Sequence, residues 1–540
     1  MKFSFKRSKF TPHSSRIASL RAGKIYPILV REMYPGDTIT IWHQALLRTA
    51  PMLFPLYSPM KLTFDYFYSP NRIVWKGDET KDWSAFITGS INGKKIEDPD
   101  KLPKLPYITV PEGGFGKSSL ADYLGFDPSD RLEGAKLSAL RFRHYQKIIS
   151  DYYADENLST MPEIAYTEGE DTTTSLDLFT RCWNKDRFTT ASLDPSSGES
   201  VMIPIGNSAP VVGNGNSLGL TNGVSDFGLV SGQLYINTDR EGVLNTSQST
   251  YALPASGLTE RAADINNSTT ALGVSKDSSK SGLVADLEAA TGIGVDELHF
   301  LVQLQRLNQQ DAFWGTRDFE CIYTHFGVVI PDTRLQRATF LGRSCVDVNF
   351  SEVLQTSQST DSSPQGNITG HALAVDQNNP IHFNCSEHGY IFVLVNIQPI
   401  AQYCQGIPRD AMYRDRYSYM WPEFSETGQQ EIYSAELYAT RQNIDERKIF
   451  GYEPRFNHLR FGDKTVHGDF RDNLSGYHTA RIFSEEPELN ENFIRADVTQ
   501  RMFAVNTQDI DQYWLRVEFD INHVRRLPKW PTPSAIGKLF

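Results

Sequence analysis

The residues with the clearest chemical potential lie in the stretch HFGVVIPDTRLQR, which runs from His325 to Arg337. It places a histidine, Asp332 and the arginines Arg334 and Arg337 around a short apolar run. A histidine and an aspartate are two members of a hydrolytic triad, whereas arginines suit binding of phosphate or carboxylate. The one G-x-S-x-G match, GNSLG at residues 215–219, lies in a Gly- and Asn-rich segment without the strand-turn-helix context of a nucleophile motif, so a structural role for the stretch from His325 to Arg337 is favoured over catalysis.

The same stretch has the alternation of a β-strand. In CIYTHFGVVI the residues Ile322, Thr324, Phe326, Val328 and Ile330 would share one face, with His325 in the middle of the strand on the other. We expect a strand over Phe326–Ile330 that Pro331 stops, and we expect Pro331 and Asp332 to occupy the central positions of a type I turn.

A glycine-rich segment, PEGGFGKSS, resembles a phosphate-binding loop on first inspection. The P-loop pattern requires glycine where this chain has Pro111, and proline has no N–H to donate to phosphate. A glycine-rich turn is therefore predicted, and a nucleotide-binding role for Lys117 is the weaker alternative.

Other patterns that carry chemistry are not found. The twelve histidines form no H-E-x-x-H, and the five cysteines form no C-x-x-C pair. We therefore predict no catalytic residue, no cofactor and no metal site, and we expect free thiols in a reducing compartment. No apolar segment follows the basic N-terminus, and none is long enough to span a bilayer, so neither a secretory signal nor a membrane span is expected.

The strongest functional signal is a basic N-terminal arm, residues 1–24, on a chain of net charge −12. Lysines and arginines in such an arm would neutralise phosphates, and the interleaved Phe3, Phe5 and Phe10 could stack on unpaired bases. The alternative is a flexible terminus that only aids solubility. The predicted DNA contacts are Lys2, Lys6, Arg7, Lys9, Arg16, Arg21 and Lys24.

Strand-like segments dominate both ends of the chain. Alternating or continuous apolar patterns predict strands in TITIWHQALLR, MKLTFDYFYSP, GYIFVLVNI and YWLRVEFDINHVRRLP. Helical periodicity predicts helices at Lys136–Leu158 and Asp296–Gly315, and a third near Gln429–Arg447. This order predicts a mainly β protein, a jelly-roll β-sandwich of about eight strands with long loop and helical insertions.

Between Asn207 and Ala285 the composition shifts to Gly, Ser, Asn and Thr. A segment of this length is either disordered or a surface loop that carries function, and recurring Leu, Val and Tyr favour an ordered, exposed excursion. The predicted organisation is thus an arm (1–24) and one jelly-roll β-domain (25–540) that contains the segment 207–285 as a surface insertion.

Several segments together resemble the major capsid protein of the Microviridae, the small icosahedral single-stranded DNA phages, and most closely its gokushovirus-like branch. They occur in order over most of the chain. The most specific are WGTRDFECIYTHFGVVIPDTRLQRATFLG, PQGNITG, EHGYIFVLVNI, MWPEFSETGQQ and FGYEPRFNHLRF, preceded by YPGD, SPNRIVW, LADYLGF, LRFRHYQKIISDYYADENL and KDRFTTASLDP.

The resemblance implies a jelly-roll capsid protein that self-assembles into a T=1 shell of on the order of sixty copies around a circular single-stranded DNA genome. It implies a virion protein assembled in the host cytoplasm, with minor virion proteins and a host surface receptor as further partners. Residues 207–285 take the place of the family's variable threefold protrusion, which suggests host attachment. In such a shell, Arg334 and Arg337 are expected to make inter-subunit or loop contacts.

An alternative hypothesis assigns the chain to a different class of protein. Aromatic residues make up 12% of the chain, which also suits a carbohydrate-active β-sandwich, either a glycan-binding module or a glycosidase. That protein would need a cleft lined by aromatic side chains and two convergent carboxylates.

Overall fold

The computed structural model divides the chain into two units, Met1–Ser196 with Gln310–Phe540, and Ser197–Gln309. It describes residues 7–77, 81–91, 94–95, 98, 101–195, 211–213, 220–221, 251–252, 262–263, 273–274, 283–285, 295–314, 318–332, 334–354, 368–425, 428–462, 464–505 and 510–529.

The strands are numbered in chain order: β1 Ser8–Phe10, β2 His13–Leu20, β3 Ile25–Met33, β4 Thr38–Thr49, β5 Met60–Pro70, β6 Ser90–Ile91, β7 Lys94–Lys95, β8 Tyr107–Thr109, β9 Lys136–Ser138, β10 Val211–Gly213, β11 Leu220–Thr221, β12 Tyr251–Ala252, β13 Ala262–Ala263, β14 Gly273–Val274, β15 Leu283–Ala285, β16 Thr339–Asp347, β17 Asn349–Leu354, β18 Ile368–Gln377, β19 Ile381–Asn384, β20 Gly389–Pro399, β21 Gln429–Tyr433, β22 Ile449–Pro454 and β23 Tyr513–Arg525. The helices are α1 Asn71–Val74, α2 Trp83–Thr88, α3 Leu120–Tyr123, α4 Leu140–Tyr152, α5 Val295–Trp314, α6 Asp318–Phe326, α7 Arg441–Glu446 and α8 Glu491–Ile494.

Two antiparallel sheets form the centre of the first unit. The larger has seven strands in the order β1–β23–β4–β18–β17, with β2 also on β23 and β19 also on β4. The smaller has the order β16–β5–β20–β3. Strands from the two ends of the chain are neighbours in the large sheet, since Trp514 of β23 pairs with Arg48 of β4.

The main hydrophobic core lies between these two sheets. On β23 every second residue points inward, so that Leu515, Val517 and Phe519 are buried against residues such as Phe64 and Val393 of the small sheet. This alternation is what a strand with one solvated face requires, and it made β23 readable in the sequence. The predicted β-sandwich is confirmed by this arrangement.

The small sheet is buried on both faces. Its second face packs against α4, where Phe67 and Phe392 meet Phe142, Tyr145 and Ile149. A strand with apolar contacts on both sides has no polar face, which explains the near-continuous apolar run of β20. The predicted strands over TITIWHQALLR, MKLTFDYFYSP, GYIFVLVNI and YWLRVEFDINHVRRLP are all present.

The prediction of an eight-stranded barrel is corrected in detail. In the part of the chain that the structure describes, the seven-stranded and four-stranded sheets do not close into a barrel. The extra strands of the large sheet come from the N-terminal arm, since β1 and β2 both pair antiparallel with β23. The arm therefore extends the sheet beyond the jelly-roll core.

Two predicted helices are shorter than their periodicity suggested. The segment Lys136–Leu158 begins as strand β9, paired with β8, and becomes helical only at Leu140. The segment Gln429–Arg447 begins as strand β21, and only α7 within it is an α-helix. In both, apolar spacing was compatible with either structure, and pairing with a distant strand decided the outcome. The helix predicted at Asp296–Gly315 is confirmed as α5.

The strand predicted in CIYTHFGVVI is wrong, because Asp318–Phe326 is helix α6 and residues 327–330 have no regular structure. Gly327 ends the helix in the left-handed region, at a φ of +67°, and its N–H donates to Tyr323 O at 2.9 Å. A helix satisfies its backbone groups locally and needs no neighbouring strand.

The second unit contains nested antiparallel pairs: β10 with β15, β11 with β14, and β12 with β13. The chain thus runs out and returns alongside itself, as in a long hairpin. This covers part of the predicted insertion 207–285, whose remaining residues lie outside the described part of the chain.

Candidate nucleic-acid interface

The described part of the basic arm lies along β23. Arg7 and Lys9 are exposed at and beside β1, and Arg16 is exposed on β2. Lys24 is half-buried, and its backbone carbonyl accepts from Asn396 Nδ2 at 2.9 Å. The predicted contacts Lys2 and Lys6 lie outside the described residues.

One cleft, of about 490 Å³, opens where β2, the N-terminal end of β23 and the glycine-rich segment meet. The glycine-rich segment is the predicted turn, because Gly114 N–H donates to Pro111 O at 3.0 Å and Gly113, Gly114 and Gly116 have positive φ. This turn brings Lys117 and Ser118 to the cleft, which we call the arm cleft. It is lined by Arg16, Ile17, Ala18, Ser19, Ile28, Lys117, Ser118, Asp122, Tyr123, Ile510, Asp511 and Trp514.

The carboxylate of Asp511 is already engaged on one side of the arm cleft. It accepts from Ser19 Oγ at 2.8 Å and Ser118 Oγ at 3.3 Å, and it lies 3.4 Å from Arg21 Nε. Burial and the Asp511 charge raise the pKa of Tyr123 to about 12, so its protonated hydroxyl donates to Ser19 O at 2.6 Å. The predicted contact Arg21 is thus committed to Asp511, and much of its charge is compensated.

Arg16 and Lys117 differ from Arg21. In the described part of the chain neither side chain makes an ion pair, so both charges remain available on the surface. Trp514 lines the same cleft with 49% of its surface exposed, and Ile17 is 85% exposed.

Strand register pairs Arg16 with the buried Val517 and Ser19 with Trp514, so the side chains of Arg16 and Trp514 lie on opposite faces of this sheet edge. Cations and an open indole ring around one edge can bind phosphates and stack a base of the same strand. The sequence had indicated Arg16 but not Trp514.

The cleft continues onto the outer face of the large sheet. The strand register places Trp514 beside Arg48 of β4, and Arg48 beside Leu373 of β18, all pointing away from the core. In the next row Arg516 and the 62%-exposed Val375 flank Leu46. In these two rows cationic and apolar side chains are neighbours, and Arg516 is ion-paired with Glu518 of the next row.

A Ser-His-Asn arrangement occurs elsewhere, but in the interior. Ser69 Oγ lies 2.7 Å from His144 Nδ1, and His144 Nε2 lies 2.9 Å from Asn71 Oδ1. All three side chains are buried, and burial, followed by the charge of Arg143, lowers the pKa of His144 to about 3. A base with this pKa takes up a proton poorly at neutral pH, and solvent cannot reach it. The set joins α4 to the end of β5.

Within the stretch that first suggested chemistry, Asp332 accepts from Arg337 Nε at 2.6 Å. The guanidinium of Arg337 also lies 5.4 Å from the ring centroid of Tyr152. The predicted turn is displaced by one residue, because Arg334 N–H donates to Pro331 O at 2.9 Å and makes Pro331 its first position. Arg334 itself is exposed, and His325 lies at the end of α6 rather than in a strand.

Comparison with known proteins decides what kind of protein carries this surface. A model of the phage capsid protein (F protein) family matches residues 2–535. The chain belongs to this capsid protein family. It is 31% identical to capsid protein VP1 of Bdellovibrio phage phiMH2K, over 98% of this chain and 96% of the relative. It is 29% identical to capsid protein VP1 of Spiroplasma virus 4, over 98% of this chain and 95% of the relative.

These relatives are Microviridae, so the resemblance read from the sequence is confirmed and the chain is a major capsid protein of the virion. Among its described residues, the capsid protein has no group of His, Cys, Asp and Glu side chains that could hold a metal ion. The described part also contains no helix with the length and apolar character needed to cross a membrane.

Proposed function

We propose that the capsid protein assembles in the host cytoplasm into a T=1 icosahedral shell of on the order of sixty copies around a circular single-stranded DNA genome, without catalytic activity. Membership of the capsid family supports self-assembly. An exposed apolar segment supports it further: Tyr323, Phe326, Val328 and Val329 are all more than half exposed in the single chain. Apolar surface of this kind is stabilised by burial against another subunit.

We propose that the arm cleft is a place where the shell contacts its genome. The observation that carries this assignment is the combination of Arg16 and Lys117, which have no ion-pair partner in the described part of the chain, with the half-exposed ring of Trp514. Phosphates of a single strand would lie on the two cations, and an unpaired base would stack on the indole. Arg7 and Lys9 extend the cationic surface toward the N-terminus.

The test measures how salt weakens binding of a fluorescent oligodeoxythymidylate to unassembled subunits. For a single strand, each phosphate neutralised by a protein cation contributes about 0.7 to the slope of log K against log salt concentration. We expect Arg16→Gln with Lys117→Gln to reduce that slope by about 1.4. Substitution is preferred to deleting residues 2–24, because the deletion would also uncover the edge of β23.

Two further variants separate the contributions. Trp514→Ala should weaken binding by about 1–3 kcal/mol, the range for one stacked base, and leave the salt slope unchanged. Lys101→Gln with Arg441→Gln removes the same charge from highly exposed surface positions and should change little. If the slope of log K against log salt concentration is unchanged in the Arg16→Gln, Lys117→Gln variant, the arm cleft does not bind DNA. Particles assembled from that variant should then package the genome normally.

The nested hairpin of the second unit is proposed to carry host attachment. Its outermost antiparallel pair joins Val211 to Ala285, so the segment begins and ends at neighbouring positions. Loops rich in Gly, Ser and Asn adapt to a partner surface at little steric cost. A host receptor and minor virion proteins remain proposed partners.

A further inference from the structure

A second cavity lies in the first unit, among the segments that connect the core strands β20 and β23. Its volume is about 200 Å³. We call it the arginine pocket, because guanidinium groups dominate its wall. The lining residues used below are Arg409, Tyr413, Asp415, Tyr433, Arg447 and Arg455.

Two of these arginines have unused hydrogen-bonding capacity. The Nε atoms of Arg447 and Arg455 are buried and have no hydrogen-bond partner among the residues that the structure describes. Arg447 uses only Nη2, which donates to Met412 O at 3.4 Å, and Arg455 lies 5.1 Å from the ring centroid of Phe456. A buried, unpaired donor on a charged group is costly unless something else accepts from it.

The carboxylates of Glu453, Glu436 and Asp415 already accept hydrogen bonds from other groups. Glu453 receives both Nε and Nη2 of Arg187, at 2.8 Å in each case, and Glu436 accepts from Arg409 Nη1 at 3.0 Å and from Arg187. Asp415 Oδ1 accepts from Ser418 N at 2.8 Å and Ser418 Oγ at 2.9 Å. Arg187 and Arg409 thus balance the two glutamates, and Arg447 and Arg455 together with Asp415 leave an excess of one positive charge at the pocket.

A neighbouring histidine reports the same positive potential. His458 Nε2 lies 3.0 Å from Tyr413 OH, at the pocket wall. Burial, followed by the charges of Arg409 and Arg187, lowers the pKa of His458 to about 4. At neutral pH the ring is therefore uncharged and adds no further cation, while the arginines stay charged.

Two residues of the arginine pocket also have an unusual backbone conformation with positive φ. Among the described residues, positive φ outside glycine occurs at Ser118, Gln336, Arg447 and Phe456. Arg447 (+51°) and Phe456 (+59°) both line the arginine pocket. Arg447 ends α7 at a position where glycine is usual, so an arginine there is held in a strained conformation. Strain of this kind concentrates at ligand-binding sites.

We propose that the arginine pocket binds a phosphate group. The ring of Tyr433, with Arg409 at 5.1 Å and Arg447 at 5.7 Å from its centroid, orients two guanidinium groups, and Arg455 adds a third. Guanidinium forks match the oxygens of phosphate, and the excess positive charge suits an anion. Free phosphate and the phosphate of a nucleic-acid strand share this chemistry.

The experiment is isothermal titration calorimetry of the full-length, unassembled protein at pH 7 and constant ionic strength. Inorganic phosphate is one probe and a short oligodeoxythymidylate is the other. We expect inorganic phosphate to bind the wild type, and Arg455→Gln and Arg447→Gly each to weaken that binding ten-fold or more. Arg441→Gln is the matched control, because Arg441 lies on the same helix and its side chain is 96% exposed.

Arg447→Gly guards against a trivial loss of folding. Glycine accepts a φ of +51° without strain, so this variant should melt at the same temperature as the wild type or higher. If the oligonucleotide also binds and is weakened by both variants, the phosphate comes from a strand; if only inorganic phosphate responds, the source is free phosphate. No phosphate binding, binding unchanged in both variants, or tighter binding of malonate than of phosphate would overturn the proposal.

Discussion

At the scale of single residues, the side chains that look most reactive serve mainly as uncharged connectors. His523 is buried beside Asp37, with its Nε2 3.0 Å from Asp37 Oδ2 and its Nδ1 accepting from Arg31 Nε at 3.4 Å. Burial, followed by the charge of Arg525, lowers the pKa of His523 to about 4. The neutral tautomer with a proton on Nε2 satisfies both neighbours, which explains why a histidine can be buried between arginines.

This arrangement predicts a pH dependence of stability. The folded pKa of His523, about 4, lies below the unfolded value of about 6.5, so between these values the unfolded chain binds a proton that the folded chain does not. The free energy of unfolding should therefore fall as the pH falls from 6.5 to 4, by about 1.4 kcal/mol per pH unit from this residue. His523→Gln should reduce the slope by that amount, measured by denaturation at several pH values.

The wild type is the reference at each pH, so protonation of carboxylates common to both proteins cancels. His144→Gln should reduce the slope in the same direction, because burial lowers the pKa of His144 to about 3. A slope equal to the wild-type slope in both variants would contradict the neutral, buried state of these rings.

At the scale of elements, the strands that were predictable are those whose pattern reflects a single environment. β23 alternates because one face is solvated, and β20 is apolar throughout because both faces are covered. By contrast, α6 was predicted as a strand because its apolar residues suit either period. The structure makes it a helix, Asp318–Phe326, and the apolar spacing alone does not distinguish the two structures.

The junction of β20 with β5 is tight enough for a sharp test. A Cβ at Gly389 would lie 2.4 Å from Ser69 O and 2.8 Å from Pro70 Cα, so Gly389→Ala forces the two strands apart. We expect a loss of about 1–3 kcal/mol or more, seen as a lower melting temperature of the isolated subunit. Gly462→Ala is the control, because nothing lies within 4 Å of its added Cβ and its φ is not positive. Equal melting temperatures for the two variants would contradict this packing.

At the scale of the whole molecule, charge is distributed unevenly. The chain carries a net charge of −12, yet no acidic residue occurs before Glu32. Strand pairing places this basic terminus on one edge of the large sheet, beside β23. A body of this charge repels DNA in general, and a basic edge would attract it locally, which supports the proposal that the capsid protein contacts DNA from one side.

Contacts between subunits can be separated from contacts within one subunit at Arg334 and Arg337. Arg334 is exposed, whereas Arg337 pairs with Asp332 of its own turn. If Arg334 contacts a neighbouring subunit, Arg334→Ala should lower the melting temperature of particles and leave that of isolated subunits unchanged. Arg337→Ala should lower both, because it also breaks the contact within the turn. Particles of Arg334→Ala that are as stable as wild type would exclude the inter-subunit role of Arg334.

The amino-acid sequence by itself determined the β-sandwich, most of its strands and the capsid family, because alternation and the order of family motifs are local properties. The tertiary structure alone decided that Arg16, Lys117 and Trp514 share one cleft and that Arg447 and Arg455 share one pocket. It also decided that α6 is a helix. Arg16, Lys117 and Trp514 come from segments far apart in the chain, which strand pairing brings together, whereas Arg447 and Arg455 are eight positions apart and share a pocket because of how the intervening loop packs. No spacing along the sequence encodes such a meeting.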